Sequence, residues 1–259
     1  MPIAEINGAR IHYDLTGPTN APVLVLSNSL GTNFSMWDPQ ISAFLKEARV
    51  LRYDKRGHGQ SSVTPGPYTI EQLGRDVIAL LDALHLDRVH FCGLSIGGMT
   101  GMWLALNAPD RLRKLVLCNT AAKIGTADGW SARIEAVRKG GTKSVASAVM
   151  ERWFSPAYRA KSPEVVATTQ QVLESANPEG YIACCAAVRD FDAREKLSAI
   201  RVPTLVIAGT HDTSTPPAEG RYLADHIPGA RYAEFSAAHL SNIEDRDRFN
   251  AEVSVFLFA

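Results

Sequence analysis

Four short runs of nearly uninterrupted apolar residues punctuate the chain: Val23-Leu-Val-Leu26, Val89-His-Phe-Cys92, Leu115-Val-Leu-Cys118 and Leu205-Val-Ile-Ala208. Strands buried on both faces carry this pattern, and a mostly parallel sheet covered by helices on both sides buries them that way. Val50-Leu-Arg-Tyr53 and Tyr232 to Phe235 read as further strands. The opening differs: Ala4 to Ile6 and Arg10 to Asp14 flank Asn7-Gly8, a pair that tolerates the positive φ angles of a tight hairpin. Eight strands result. Apolar positions recur at helical spacing over Ile70 to Leu84, Ser95 to about Asn107 and Asp245 to the C-terminus.

The alternation of strand and helix lapses after Cys118 and resumes at Pro203, leaving about eighty residues with helical periodicity in several pieces. That is too long for a structureless loop. The chain therefore divides into a first core part at 1–120, an inserted helical cap at 121–188 and a second core part at 189–259.

Length and composition narrow the partners. With 259 residues and 46% hydrophobic content the chain can bury one sizeable core. Lys plus Arg and Asp plus Glu number 27 each, without a like-charge run, which argues against nucleic acid or an anionic membrane as partner and for a small ligand. Met1-Pro-Ile-Ala-Glu-Ile6 lacks a basic region followed by an apolar stretch, and no run reaches membrane-spanning length, so the expectation is a cytoplasmic protein. Cys92, Cys118, Cys184 and Cys185 lie in apolar segments, not at metal-ligand spacings, and read as reduced core residues. No metal or organic cofactor is expected. The sequence leaves the oligomeric state open and is compatible with a homo-oligomer.

Chemistry concentrates at Gly93-Leu-Ser-Ile-Gly97, where an apolar strand runs into Gly-x-Ser-x-Gly and then into helix-forming sequence. A serine on so sharp a turn takes a positive φ, and the flanking glycines remove side chains that would collide there. Ser95 is the candidate nucleophile. A serine hydroxyl needs a base to take its proton, and the base needs an acid to fix its tautomer. Asp212 ends Leu205-Val-Ile-Ala-Gly-Thr-His-Asp212, a buried strand running into a polar turn; after the preceding strand the chain offers only Asn119, which carries no charge. Of the histidines beyond Asp212, His226 belongs to a helical stretch ending before Pro228, whereas His239 lies in a small-residue loop after the last strand. His239 is the candidate base; His58 and His211 are assigned structural roles. An acyl-transfer oxyanion needs two N–H donors. The Ile96 backbone at the helix start supplies one, and Leu30, in Ser27-Asn-Ser-Leu-Gly31, the other.

With these residues in place the chain resembles the α/β-hydrolases over its whole length, and among them the 3-oxoadipate enol-lactonases. The resemblance rests on Leu26-Ser-Asn-Ser-Leu-Gly-Thr-Asn-Phe-Ser-Met-Trp-Asp-Pro39, Tyr53-Asp-Lys-Arg-Gly-His-Gly-Gln-Ser61, Gly66-Pro-Tyr-Thr-Ile70, Phe91-Cys-Gly-Leu-Ser-Ile-Gly-Gly-Met99, Leu117-Cys-Asn-Thr-Ala121 and Ala208-Gly-Thr-His-Asp212. Asp-x-Arg-Gly-His-Gly marks the fold; Asn28-Ser29, where most relatives carry His-Gly, is the more discriminating piece, and it puts a serine where a glycine normally lets the loop approach closely. The resemblance implies an α/β-hydrolase fold with an eight-stranded sheet and cap. It also implies hydrolysis of an enol-lactone to 3-oxoadipate in the protocatechuate branch of the β-ketoadipate pathway. That substrate is a small anionic lactone whose carboxylate needs a charge partner. In Trp130-Ser-Ala-Arg-Ile-Glu-Ala-Val-Arg138, Trp130, Arg133, Ile134 and Val137 share one helical face, making Arg133 the first candidate clamp and Trp130 a candidate cavity wall; Arg189 is the second candidate. Two enzyme readings retain the serine site, a general carboxylesterase and a C–C bond hydrolase of ring-cleavage products; a lactone-sensing receptor is a third reading, of another class. Haloalkane dehalogenase chemistry is disfavoured because it would need aspartate at Ser95.

Overall fold

A computed structural model describes residues 2–259. Eight strands form one sheet in the order β1-β2-β4-β3-β5-β6-β7-β8: β1 Ile3–Ile6, β2 Ala9–Thr16, β3 Val23–Ser27, β4 Arg49–Tyr53, β5 Val89–Leu94, β6 Leu112–Cys118, β7 Thr204–Gly209 and β8 Arg231–Phe235. The first two pairings, β1 with β2 and β2 with β4, are antiparallel, and all others are parallel. Asn7 and Gly8 take φ values of 46° and 69°, and Ile6 pairs with Ala9 across a two-residue turn. This is the primed geometry that matches strand twist.

Helices cover both faces, and adjacent residues of β5 show it. His90 meets Phe258 of α11 (Arg246–Phe258) edge to face, with ring centroids 5.5 Å apart. Its neighbour Phe91 lies against Gly101 of α3 (Ile96–Asn107), where an added Cβ would come within 3.1 Å of the ring. Successive strand residues point to opposite faces, so α3 and α11 flank the sheet. On the α3 side packs α2 (Ile70–Ala83), whose Gly74 sits so close to Trp103 that a Cβ would lie 2.0 Å from it. Thr69 caps α2 by accepting from the Gln72 N–H, and Ile70, Leu73, Val77, Leu80 and Leu81 form its buried stripe. On the α11 side lies α1 (Asp38–Phe44).

Between β6 and β7 the chain runs through five helices, α4 Ala127–Gly140, α5 Lys143–Trp153, α6 Pro156–Lys161, α7 Pro163–Glu174 and α8 Pro178–Asp190. Helix α8 touches the core where glycine meets glycine: a Cβ on Gly180 would lie 2.1 Å from the Gly57 oxygen. After β7 come α9 (Pro217–His226) and, past β8, the short α10 (Ser241–Glu244). All four cysteines are buried and unbridged; the Cys92 and Cys118 sulfurs are 3.7 Å apart. Among the described residues no helix is long and apolar enough to cross a membrane.

Candidate active site

Ser95 joins the end of β5 to the start of α3 with φ 59° and ψ −118°, the strained backbone expected of it. Both flanking glycines are required by close backbone approach: a Cβ at Gly93 would lie 2.2 Å from the Gly97 oxygen, and one at Gly97 would lie 2.1 Å from the Ser27 oxygen. The strain is held by neighbours on β6 and just beyond it. The Ser95 N–H donates to the Cys118 oxygen at 3.0 Å, and the Thr120 hydroxyl donates to the Ser95 oxygen at 2.8 Å.

Asp212 follows β7 and is 3% exposed. Its Oδ2 accepts from His239 Nδ1 at 2.8 Å, the Thr215 hydroxyl at 2.7 Å and Asn119 Nδ2 at 3.0 Å. Its Oδ1 accepts from the Ser214 and Thr215 N–H groups at 2.8 and 3.0 Å. Burial pushes this carboxyl upward, but the His239 charge and the hydrogen bonds from His239, Thr215 and Asn119 outweigh it and hold Asp212 below the usual carboxylate value. Asp212 is therefore ionised at neutral pH, and its contact fixes the second imidazole nitrogen, Nε2, as the one free to face the serine. Asn119, set aside in the sequence because it carries no charge, serves here as a donor to Asp212 and is itself held by Ser241 Oγ at 2.6 Å.

Ser95 and His239 line one cavity of about 360 Å³ together with Leu30, Trp130, Arg133, Arg152 and Tyr181. No hydrogen bond joins Ser95 to His239 among the described residues, and such contacts commonly tighten only when substrate is bound. His226 is exposed and stacks on Tyr222, His211 is exposed, and neither lines the Ser95 cavity. Leu30 and Ile96 are buried beside Ser95, and among the described residues neither backbone N–H donates to a protein acceptor. The Asn28-Ser29 loop is tight despite serine at position 29: Asn28 Nδ2 donates to the Thr32 carbonyl and hydroxyl oxygens at 2.9 and 3.1 Å, closing it.

The arginines divide. Arg133 lines the cavity with its guanidinium 4.9 Å from the centre of the Trp130 ring, and Trp130 is anchored by its indole N–H to the Ile124 oxygen at 2.6 Å. Arg189 does not belong there. It is ion-paired to Asp190 at 2.7 Å and lines a different cavity, beside Val63 and Pro65. Tyr181 is the α8 residue at the Ser95 cavity, and Arg189 lies eight residues further along, about 12 Å at 1.5 Å per residue. The second cavity arginine is Arg152 of α5, which the sequence reading passed over. It carried the same signal as Arg133: an arginine three residues after Val149, flanking the buried stripe Ala146, Val149, Met150 and Trp153. Burial first, then the nearby Arg133 charge, lowers the Arg152 pKa. Among the described residues neither Arg133 nor Arg152 forms an ion pair with a carboxylate. Nor does any group of three or more His, Cys, Asp or Glu side chains there suit a metal ion.

Comparisons with known proteins agree with this architecture. Residues 22–246 match the model of the alpha/beta hydrolase fold family. Two 3-oxoadipate enol-lactonases of Acinetobacter baylyi are 44% and 41% identical over 247 residues, covering 95% of this chain and 92% of each relative. The crystal structure of the enol-lactonase from Burkholderia xenovorans LB400 superposes with a TM-score of 0.98 at 48% identity, covering 100% of both chains. The chain therefore belongs to the α/β-hydrolase family, in the branch that holds the 3-oxoadipate enol-lactonases.

Proposed function

We infer that the protein hydrolyses 3-oxoadipate enol-lactone to 3-oxoadipate, the lactone-opening step of the protocatechuate branch of the β-ketoadipate pathway, with Ser95, His239 and Asp212 as nucleophile, base and acid. The observation that carries this reading is one cavity holding both a serine on a strained turn beside an Asp212-bound histidine and two guanidiniums free of carboxylate partners. The first suits acyl transfer; the second suits an anionic acyl substrate. The enol-lactonases among its relatives support the choice of lactone.

In this mechanism Ser95 Oγ bonds to the lactone carbonyl carbon while its proton passes to His239 Nε2. The Leu30 and Ile96 N–H groups receive the negative oxygen. The ring C–O bond then breaks, and the leaving enol oxygen takes the proton back from the imidazolium. Because the leaving group stays tethered through the acyl chain, its tautomerisation to a ketone is what opposes reclosure. Water, deprotonated by His239, attacks the acyl carbon; the bond from that carbon to Ser95 Oγ breaks, and the imidazolium returns the proton to Oγ, giving 3-oxoadipate. Arg133 and Arg152 hold the substrate carboxylate, and the helical segment 121–188 acts as the cap that carries them over the serine.

Side-by-side turnover of the enol-lactone, a neutral aryl ester and a vinylogous diketone tests this. Preferred hydrolysis of the lactone, with 3-oxoadipate as product, is expected. Equal or faster turnover of the neutral ester would favour a general carboxylesterase, and cleavage of the diketone a C–C hydrolase.

A further inference from the structure

We propose that Lys55 and His58 are positioning residues of the oxyanion site, which aim and polarise the Leu30 N–H by gripping the peptide groups on either side of Leu30. The proposal rests on Ser95 acting as an acyl-transfer nucleophile.

The Ser29 C=O and the Leu30 N–H are the two ends of one planar trans peptide and point in opposite directions. Lys55 Nζ donates to the Ser29 oxygen at 2.9 Å, and Thr32 Oγ1 donates to the same oxygen at 2.9 Å. Fixing the oxygen fixes the direction of the N–H. A cation on the oxygen also draws charge from the amide nitrogen and strengthens the N–H as a donor. The following peptide is held from the same loop: the Gly31 N–H donates to His58 Nε2 at 2.8 Å. Gly31 has φ +79°, and a Cβ there would lie 2.5 Å from Leu173, so the chain carries no side chain of its own to steady this position.

The chemistry of both side chains fits this use better than filling space. Lys55 is 3% exposed and makes no ion pair with a carboxylate among the described residues. Burying an ammonium on a carbonyl alone is costly, and an apolar residue would fill the same volume without that cost. Burial pushes the Lys55 ammonium down to about 8, which leaves it charged at neutral pH. His58 can accept at Nε2 only as a neutral ring; burial, then the Lys55 charge, holds it well below 6.5. The loop that carries the pair is itself pinned by Asp54, whose Oδ1 accepts from the Phe34 N–H at 2.8 Å and Oδ2 from the Gln60 N–H at 2.9 Å.

The test compares Lys55→Met with Lys55→Gln, which retains a neutral donor, and His58→Leu with His58→Gln, which retains an acceptor. p-Nitrophenyl acetate serves as substrate and a small alkyl trifluoromethyl ketone as probe, because the ketone's adduct with serine places a negative oxygen in the same site. Removing an oxyanion donor outright costs about 10²–10³ in kcat, so a donor left in place but unaimed should lose about 10- to 100-fold. We expect that loss in Lys55→Met and His58→Leu, with KM within about twofold. Ketone affinity should fall in step, and the Gln variants should recover part of both. If Lys55→Met does not fold, the His58 pair carries the same comparison. Unchanged kcat and ketone affinity in either apolar variant, while Ser95→Ala abolishes turnover, overturns the brace alone. Turnover that survives in Ser95→Ala overturns the serine reading and the brace with it.

Discussion

At the scale of single residues, the site depends on which groups have partners and which do not. Asp212 is saturated with donors, which keeps it anionic and the His239 ring oriented. Arg133 and Arg152 are the converse, cations in the cavity without counter-charges. A charge-assisted contact to a substrate carboxylate contributes about 1.5–3 kcal/mol, so Arg133→Met and Arg152→Met should each lower kcat/KM for the enol-lactone by roughly ten- to more than a hundredfold. A neutral ester should be nearly unaffected; equal losses on both substrates would show that the arginines support the cap instead of reading charge. Ser95, Asp212 and His239 were readable because each sits in a short motif at a strand end. Arg189 was included for its place near the cap's return to the core and Arg152 was passed over, because neither position in the chain nor helical periodicity shows which cavity a residue meets. That depends on how α5 and α8 pack, and the packing is set by contacts far apart in sequence, such as Gly180 on Gly57.

At the scale of elements, the strands and the helices that cover them follow directly from apolar patterning. The sequence expects Ile70 to Leu84 and Ser95 to about Asn107 as helices, and the structure has α2 over Ile70–Ala83 and α3 over Ile96–Asn107. Strand ends were less legible: β6 begins at Leu112, three residues before its apolar run, because Arg113 and Lys114 lie in the strand beyond that run. Helix α1 went unread, since its Asp38-Pro-Gln-Ile-Ser-Ala-Phe44 alternates too little to signal a face. The elbow between β5 and α3 makes a testable demand on its own. Gly97→Ala would press a Cβ to 2.1 Å from the Ser27 oxygen, a backbone atom that cannot rotate away. The cost should be at least the 1–3 kcal/mol typical of overpacking. Urea denaturation should show a lower midpoint, and kcat should fall with it because β3 and Ser95 must shift apart. A variant as stable and active as the wild type would mean that the approach seen here is not required.

At the scale of the whole molecule, the buried histidines link stability to pH. Burial first, then the charges of Lys114, Arg113 and Arg88, brings His90 down from the ordinary 6.5 to about 4. Between these values the unfolded chain takes up a proton that the folded protein does not. The stabilising contribution is therefore complete above pH 6.5 and is lost as pH falls toward 4. His58, shifted in the same direction, adds to the effect. His90→Leu should narrow the gap between urea midpoints measured at pH 7 and pH 5, whereas an unchanged gap would remove His90 from the acid response. The same sheet that buries His90 on one face brings Ser95, Asp212 and His239 together just beyond the ends of β5, β7 and β8. The central claim is that Ser95 opens the enol-lactone, and the most direct measurement is the loss of enol-lactone absorbance with purified wild-type protein and with Ser95→Ala. Rapid loss with the wild type is expected, with a kcat lower by roughly 10⁴-fold or more in the folded variant. Comparable rates from the two proteins, or no loss with the wild type, would contradict it.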